Sequence, residues 1–237
     1  MKLPALLTAA VIALAGCTSL SADTQISGNI NPHHYQSLSN KVFMHGSRTF
    51  YETSLEGLKS RSDYIVRGIM GNDAYMRLSF VPNSDPPRLS LGSNFVSFEV
   101  TEVLYGSLSA GQTITIMEPY FVAPFYILDQ EQNQDLFHLD HVDRSAGGVF
   151  FSFADYLPSI PYQEYIFFLV NAYFSGAPEH FRGVFGVAHS ERSRFRVPNT
   201  VFEIEQGFSP LESSVGPYAN YDVYMSLWNE VIENFVR

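Results

Sequence analysis

The chain contains little cysteine, tryptophan or charge. Its 237 residues include one Cys and one Trp, and only 16% are charged. With a single cysteine, Cys17, the chain can form neither an internal disulfide nor a cysteine-based zinc site, so packing has to hold the fold. A composition of 46% hydrophobic and 15% aromatic residues excludes a disordered chain and a coiled coil. We therefore expect a globular core.

Basic residues are also scarce. Lys and Arg number 14 against 24 Asp and Glu, which gives a net charge of -10. This sign is wrong for a protein whose affinity comes from neutralising phosphates, so nucleic acid is excluded as an expected partner. The apolar stretch at 5–15 is too short to cross a bilayer, because a spanning helix needs about 20 apolar residues.

The first residues have the order of a secretory signal. Lys2 is followed by the apolar stretch 5–15 and by small residues, which is typical of an export signal. Cys17 directly follows Leu14, Ala15 and Gly16, and this sequence resembles the lipobox of bacterial lipoproteins. An ordinary secretory signal with an incidental cysteine is the alternative.

The resemblance implies cleavage before Cys17, a lipid on its thiol and acylation of the new amino terminus. Two or three acyl chains anchor a protein stably, whereas one binds only marginally. The membrane is then a partner through Cys17, and the protein is extracytoplasmic. Thr18 replaces the aspartate that favours inner-membrane retention in that family, which implies the outer membrane where the organism has one.

Residues 1–16 are thus a predicted signal peptide and 17–40 a flexible, lipidated tether, since Ser, Thr, Asn and Gly dominate the tether. Residues 41–237 are predicted to form one domain. It starts with a short helix, for which Thr53 and Glu56 supply a capping box. A polar loop is expected at 82–94. Strands are predicted from period-two alternation and β-branched runs at 64–70, 74–81, 95–104, 112–117, 164–170, 183–188, 193–197 and 201–205.

The last residues predict an amphipathic helix at about 221–236. Tyr224, Leu227, Trp228, Val231 and Ile232 recur at helical spacing on one face. The polar face has almost no Lys or Arg, so docking on the barrel is expected rather than binding at a membrane surface. The predicted fold is mainly β: a small OB-like β-barrel with a short N-terminal helix, a long insertion at about 118–163 and this C-terminal helix.

Four segments resemble a family of exported bacterial lipoproteins with netrin-like OB barrels, the type also found in tissue inhibitors of metalloproteinases. They read YETSLEGLKSRSDYIVRG, SFEVTEVLYGSLSAGQTITI, EYIFFL and GVFGV. The resemblance spans about residues 50–190 and implies the fold, while many such proteins have no assigned activity. The inhibitors use a disulfide-bonded N-terminal cysteine with a free amino group. An acylated Cys17 excludes that mechanism, so protease inhibition by another route is one alternative function.

The insertion contains a cluster of potential metal ligands. His138, Asp140, His141 and Asp143 lie within six residues, and imidazole with carboxylate can hold a divalent cation. The spacing matches no named metal motif, and a solvated acidic loop is the alternative. No other cofactor is expected.

Aromatic residues begin the insertion. Tyr120, Phe121, Phe125 and Tyr126 suit contact with an envelope protein, a glycan or a peptide, because aromatic rings give large contact areas. The favoured alternative is that the insertion folds back and buries them.

Three arginines alternate near the end of the predicted barrel. Arg192, Arg194 and Arg196 would share one face of a strand and could hold an anion. The favoured alternative is a hairpin about Pro198 and Asn199, which would pair Arg194 with Glu203 and Arg192 with Glu205.

No catalytic residue is predicted. The sequence lacks G-x-S-x-G, H-E-x-x-H, the phosphate-binding G-x-x-x-x-G-K-[ST], and G-x-G-x-x-G after a strand. The sequence therefore favours a lipid-anchored binding or structural module of the cell envelope. A metal-dependent module and a protease inhibitor remain the alternatives.

Overall fold

The structure is a computed structural model. It describes residues 23–26, 40–44, 53–80, 89–128, 143, 148–153, 156–173, 179–189, 192–198 and 221–236.

Strands dominate the described residues. They are β1 (Asp23–Ile26), β2 (Lys41–Met44), β3 (Tyr64–Met70), β4 (Tyr75–Phe80), β5 (Leu89–Tyr105), β6 (Thr113–Glu118), β7 (Tyr120–Pro124), β8 (Gly148–Phe153), β9 (Glu164–Asn171), β10 (Val184–Val187) and β11 (Arg194–Arg196). The helices are α1 (Leu55–Arg61), α2 (Phe125–Leu128) and α3 (Tyr221–Phe235), with a 3-10 turn at Glu179–Phe181.

Five strands close into a barrel. The ring runs β3, β5, β6, β10 and β9 and returns to β3. All its pairs are antiparallel except β6 with β10, which are parallel. The interior is filled by alternating apolar side chains, among them Val66, Phe98, Ile116 and Phe167, all essentially inaccessible to solvent. The predicted small OB-like barrel is confirmed.

Strand β5 is longer than its alternation indicates. It begins at Leu89, inside the predicted polar loop, and its first half pairs with β4 before its second half joins the barrel. Gly92 and Ser93 give this segment the composition of a turn, but the neighbouring strand supplies the hydrogen-bond partners. Tertiary pairing therefore overrides local propensity here.

Part of the predicted tether belongs to the sheet. Strand β1 pairs antiparallel with β4, with Asp23 opposite Ser79 and Ile26 opposite Met76. An outer strand offers unpaired backbone N–H and C=O groups, and these can pair with a segment of any side-chain composition. The polar sequence of this segment did not reveal the pairing.

Two strands of the predicted insertion, β7 and β8, join β2 in a second, three-stranded sheet. Strand β8 lies between β7 and β2, antiparallel to the first and parallel to the second. The apolar face of this sheet packs on β4 and on the start of β5, where Phe121 and Phe151 share a core cluster with Met76 and Leu78. The insertion therefore adds a second core beside the barrel.

Helices α1 and α3 pack against the outside of the barrel. Ser54, rather than the predicted Thr53, caps α1, because its hydroxyl accepts the N–H of Gly57. The C-terminal helix α3 buries the predicted apolar face against Phe195, Ile166 and Leu58. Its Tyr224 hydroxyl donates to the Arg194 carbonyl at 3.0 Å, and Trp228 Nε1 donates to the Arg196 carbonyl at 2.9 Å. Among the described residues, no helix has the length and apolar character needed to cross a bilayer.

Candidate functional site

Most of the predicted lipid and metal residues lie outside the described part of the chain. These are Cys17, His138, Asp140 and His141. Asp143 is described and exposed. Its backbone is held on both sides by the Asn40 side chain, which accepts the Asp143 N–H at 2.8 Å and donates to the Asp143 carbonyl at 2.5 Å. One end of the predicted metal loop is thus fixed to the residue that precedes β2.

The metal site remains a prediction. Within the described residues, no group of three or more His, Cys, Asp or Glu side chains converges. Three of the four proposed ligands fall outside that part of the chain.

Two of the four aromatic residues at the start of the insertion are buried. Tyr120 and Phe121 are 4% and 1% exposed, and Phe125 is partly buried. The Phe121 ring stacks on Phe151 at 4.9 Å between centroids, while nothing is described of the Tyr126 side chain. Tyr120 and Phe121 therefore serve as core residues and present no contact surface to a partner, because the insertion folds into a sheet that buries them.

The three arginines do not form a solvent-facing stripe. Arg192 and Arg194 are buried, and Arg196 is partly buried. Strand β11 lies against β9, with Arg194 opposite Phe167 and Arg196 opposite Tyr165. The predicted partners Glu203 and Glu205 lie outside the described residues. Arg196 donates to Gln163 at 2.8 Å, and Arg194 reaches a different carboxylate.

That carboxylate is Glu118, at the end of β6. Arg194 Nη1 lies 3.2 Å from Glu118 Oε1, and each side chain is 2% exposed. The same carboxylate oxygen accepts the Tyr156 hydroxyl at 2.8 Å, the Ser159 N–H at 3.1 Å and the Ser159 hydroxyl at 2.5 Å. Asn94 donates to the other oxygen at 3.3 Å. A buried charge is tolerable only with such a set of partners.

The surroundings of Arg194 favour the charged form of its guanidinium. Its guanidinium carbon lies 4.3 Å from the Tyr156 ring centroid and 5.5 Å from that of Tyr165. Burial acts to lower the pKa of Arg194, but Tyr156, Tyr165 and Glu118 outweigh burial and raise the pKa above its ordinary value. Burial also raises the pKa of Tyr156 and Tyr120 well above the ordinary value, so both phenols stay protonated.

We call Glu118, Arg194, Tyr156, Ser159 and Asn94 the buried polar cluster. It joins four separate segments: β5, the end of β6, residues 156–159 and β11. Its carboxylate is already occupied by donors and is inaccessible to solvent, which makes it a poor general base. The arrangement suits holding the insertion and β11 against the barrel.

The sequence contained a signal for this cluster. Glu118 follows Ile114 and Ile116 at intervals of two, and those positions face the barrel interior. A carboxylate at an inward-facing position of a strand predicts a buried partner, and the two alternating arginines of β11 are the available cations.

Comparison of the chain with protein-family models, curated proteins and solved structures finds no match.

Proposed function

We propose that the protein is a lipid-anchored, extracytoplasmic module of a bacterial cell envelope with a binding or structural role; no catalytic activity is inferred. The observation that carries the proposal is Leu14, Ala15, Gly16 and Cys17 directly after an 11-residue apolar stretch. Apolar stretches of this length are typical of export signals and are too short for spanning helices. Thr18 after the cysteine favours the outer membrane where one exists.

The fold is compatible with an exported protein that has no disulfides. Small exported domains often need disulfides to supplement their cores. Here the described residues form several large apolar clusters, two of which contain more than ten buried residues each. Stability thus comes from packing, and the only cysteine is left for lipid attachment.

The partner surface is to be sought outside the start of the insertion. Tyr120 and Phe121 are buried, whereas Tyr162 is 68% exposed and Ile69 is 38% exposed. The Tyr162 N–H donates to the carbonyl of Met70, the residue after Ile69, at 2.8 Å. An envelope protein, glycan or peptide is the class of partner we propose for the exposed surface.

The test is metabolic labelling of the full chain in a bacterial host with an alkyne analogue of palmitate. We expect label on the wild-type chain, none on Cys17→Ser, and wild-type labelling for Thr18→Ser, which makes an equally small change at the next residue. Mass spectrometry of the N-terminal peptide should show acylated Cys17 as its first residue. An unlabelled wild-type chain, cleaved elsewhere, would contradict the proposal.

A further inference from the structure

One part of the outer wall of the barrel stays exposed beyond the helices. On strand β3, Ile69 lies opposite Glu99 of β5 on one side and opposite Glu164 of β9 on the other. Residues directly opposite each other in antiparallel strands point to the same face of the sheet. Helices α1 and α3 pack around Ile65, nearer the start of β3, whereas Ile69 is exposed. These side chains therefore form a solvent-facing surface near the end of β3.

This part of the wall is acidic. Its cation is Arg67, whose guanidinium is already bound to Glu164 at 2.8 and 2.9 Å and lies 3.9 Å from Glu102. Glu99 is exposed and makes no ion pair within the described residues. The carboxylates outnumber the guanidinium, so the surface carries a net negative charge. We call Arg67, Ile69, Glu99, Glu102 and Glu164 the acidic wall.

An exposed tyrosine borders the acidic wall. Tyr162 lies two residues before Glu164, and its N–H donates at 2.8 Å to the carbonyl of Met70 at the end of β3. Its φ of 63° is a left-handed conformation that glycine adopts freely and that a residue with a Cβ adopts at a cost. The turn from Ile160 to Gln163 thus holds an aromatic ring where glycine would be unstrained. Strain of this kind concentrates at functional sites.

The turn that carries Tyr162 is held in place from beneath. Ser159 donates its N–H at 3.1 Å to the carboxylate of the buried polar cluster, and the Ile160 N–H donates to the Tyr165 hydroxyl at 2.9 Å. The Tyr162 hydroxyl accepts the side-chain amide of Asn72. A tyrosine fixed in this way has little conformational freedom left to lose on binding, which favours its use as an anchor in an interface.

We propose that the acidic wall and Tyr162 form one docking surface for a basic segment of a partner protein. The inference rests on the binding role proposed above and adds the surface and the chemistry of the partner. Carboxylates attract Lys and Arg side chains, and the tyrosine ring offers them an apolar and cation–π contact. A second copy of this chain is the wrong occupant, because each copy carries a net charge of -10 and like charges repel. A neutral glycan would leave the excess negative charge unbalanced.

The test begins with the full chain, immobilised in non-ionic detergent, and a phage-displayed library of short random peptides. We expect the enriched peptides to carry a net positive charge. A fluorescent synthetic copy of the most enriched peptide should then bind the full chain in solution. Its affinity should fall as the salt concentration rises, because salt screens interactions between exposed charges.

Two variants, each with a matched control, locate the binding surface. Tyr162→Gly removes the ring and relaxes the turn, and Glu99→Lys reverses one charge of the acidic wall. We expect peptide affinity to fall about tenfold in Tyr162→Gly, as for an interface anchor, and several-fold in Glu99→Lys. Tyr105→Ala, at another exposed tyrosine, and Glu56→Lys, which makes the same charge change on α1, should bind as wild type does. Thermal unfolding checks that every variant is folded.

Equal binding by wild type, Tyr162→Gly and Glu99→Lys would overturn this location of the surface and leave a binding role in place. Enrichment of acidic or neutral peptides, or of no peptide, would overturn the basic partner. Labelling of Cys17 decides the lipid anchor separately, so neither failure could be mistaken for a failure of the anchor.

Discussion

The Arg194 guanidinium lies 3.2 Å from the Glu118 carboxylate, with both side chains buried where the barrel meets the inserted sheet. The two residues are 76 positions apart in the chain. Their contact therefore ties together segments that no local interaction could align.

Glu118→Gln should destabilise the protein by about 3–5 kcal/mol, because it leaves the charge of Arg194 buried without a carboxylate. Urea unfolding of the wild-type and variant chains measures the loss. Glu118→Gln combined with Arg194→Met should recover part of it, since the double variant has no uncompensated charge.

The matched control is the exposed pair of Glu56 and Lys59, 3.0 Å apart. Glu56→Gln should change the free energy of unfolding by less than about 1 kcal/mol, because solvent screens exposed ion pairs. If Glu118→Gln were as mild as Glu56→Gln, the buried polar cluster would have no role in stability.

Asp73 should make stability depend on acidic pH. Its carboxylate accepts the Ser97 N–H at 3.0 Å and the Ser97 hydroxyl at 2.6 Å. Burial acts to raise the pKa of Asp73, but these hydrogen bonds outweigh burial and lower the pKa below its ordinary value. A lowered folded-state pKa stabilises the protein above the unfolded value of about 3.9, and this stabilisation is lost as pH falls through the folded value.

We therefore expect Asp73→Asn to be less stable than wild type at pH 7 by about 1 kcal/mol, a small value because the site is exposed. The difference should shrink below about pH 4, where the wild-type carboxylate takes up its proton. Urea midpoints of both chains across this range provide the measurement. A difference that stays constant down to pH 2 would show that the ionised carboxylate is not what stabilises the turn.

Gly68 should tolerate no side chain. A Cβ at this position would lie 2.0 Å from the Glu99 carbonyl oxygen and 2.8 Å from the Phe98 ring, and the register with β5 shifts between Arg67 and Gly68. Gly68→Ala should cost about 1–3 kcal/mol or more, because backbone has to move. Gly186→Ala is the control, since its nearest contact would be 3.7 Å. Comparable thermal unfolding midpoints for the two variants would refute this account.

Asn40→Ala should loosen the end of the insertion. The variant loses both side-chain hydrogen bonds to the Asp143 backbone, while the backbone bond from Phe150 N–H to the Asn40 carbonyl can remain. Hydrogen exchange of the Asp143 amide should accelerate, whereas amides in β9 should keep wild-type rates because they lie in the barrel. Asn234→Ala, which removes an exposed bond to the Glu230 carbonyl, should leave the Asp143 amide unchanged.

The sequence predicted the elements whose pattern is local. Strands β3, β6 and β9 and helix α3 agree with the predicted segments within two residues, because alternation or helical spacing marks them on their own. Strands β1 and β2 were missed, since their partners β4 and β8 lie far along the chain. Short strands of this kind have no sequence pattern by which they can be recognised without the strand that they pair with.

The candidate site was harder to predict than the fold. The sequence analysis singled out the arginines of β11 as a group on one face of a strand. It did not predict that they are buried, because their burial depends on the insertion folding over them. Glu118 was overlooked although it occupies an inward position of β6. Recognising it requires attention to which face a charge occupies as well as to the run of apolar residues around it.

The closure of the barrel has a consequence for the order of events during folding. Strand β3 completes its pairing only when β9, about a hundred residues later, is available, and the ring closes only after β10. Folds dominated by such non-local pairing form slowly. A nascent chain cannot close this barrel until β10 has been synthesised, and the export proposed above would require such an unfolded polypeptide.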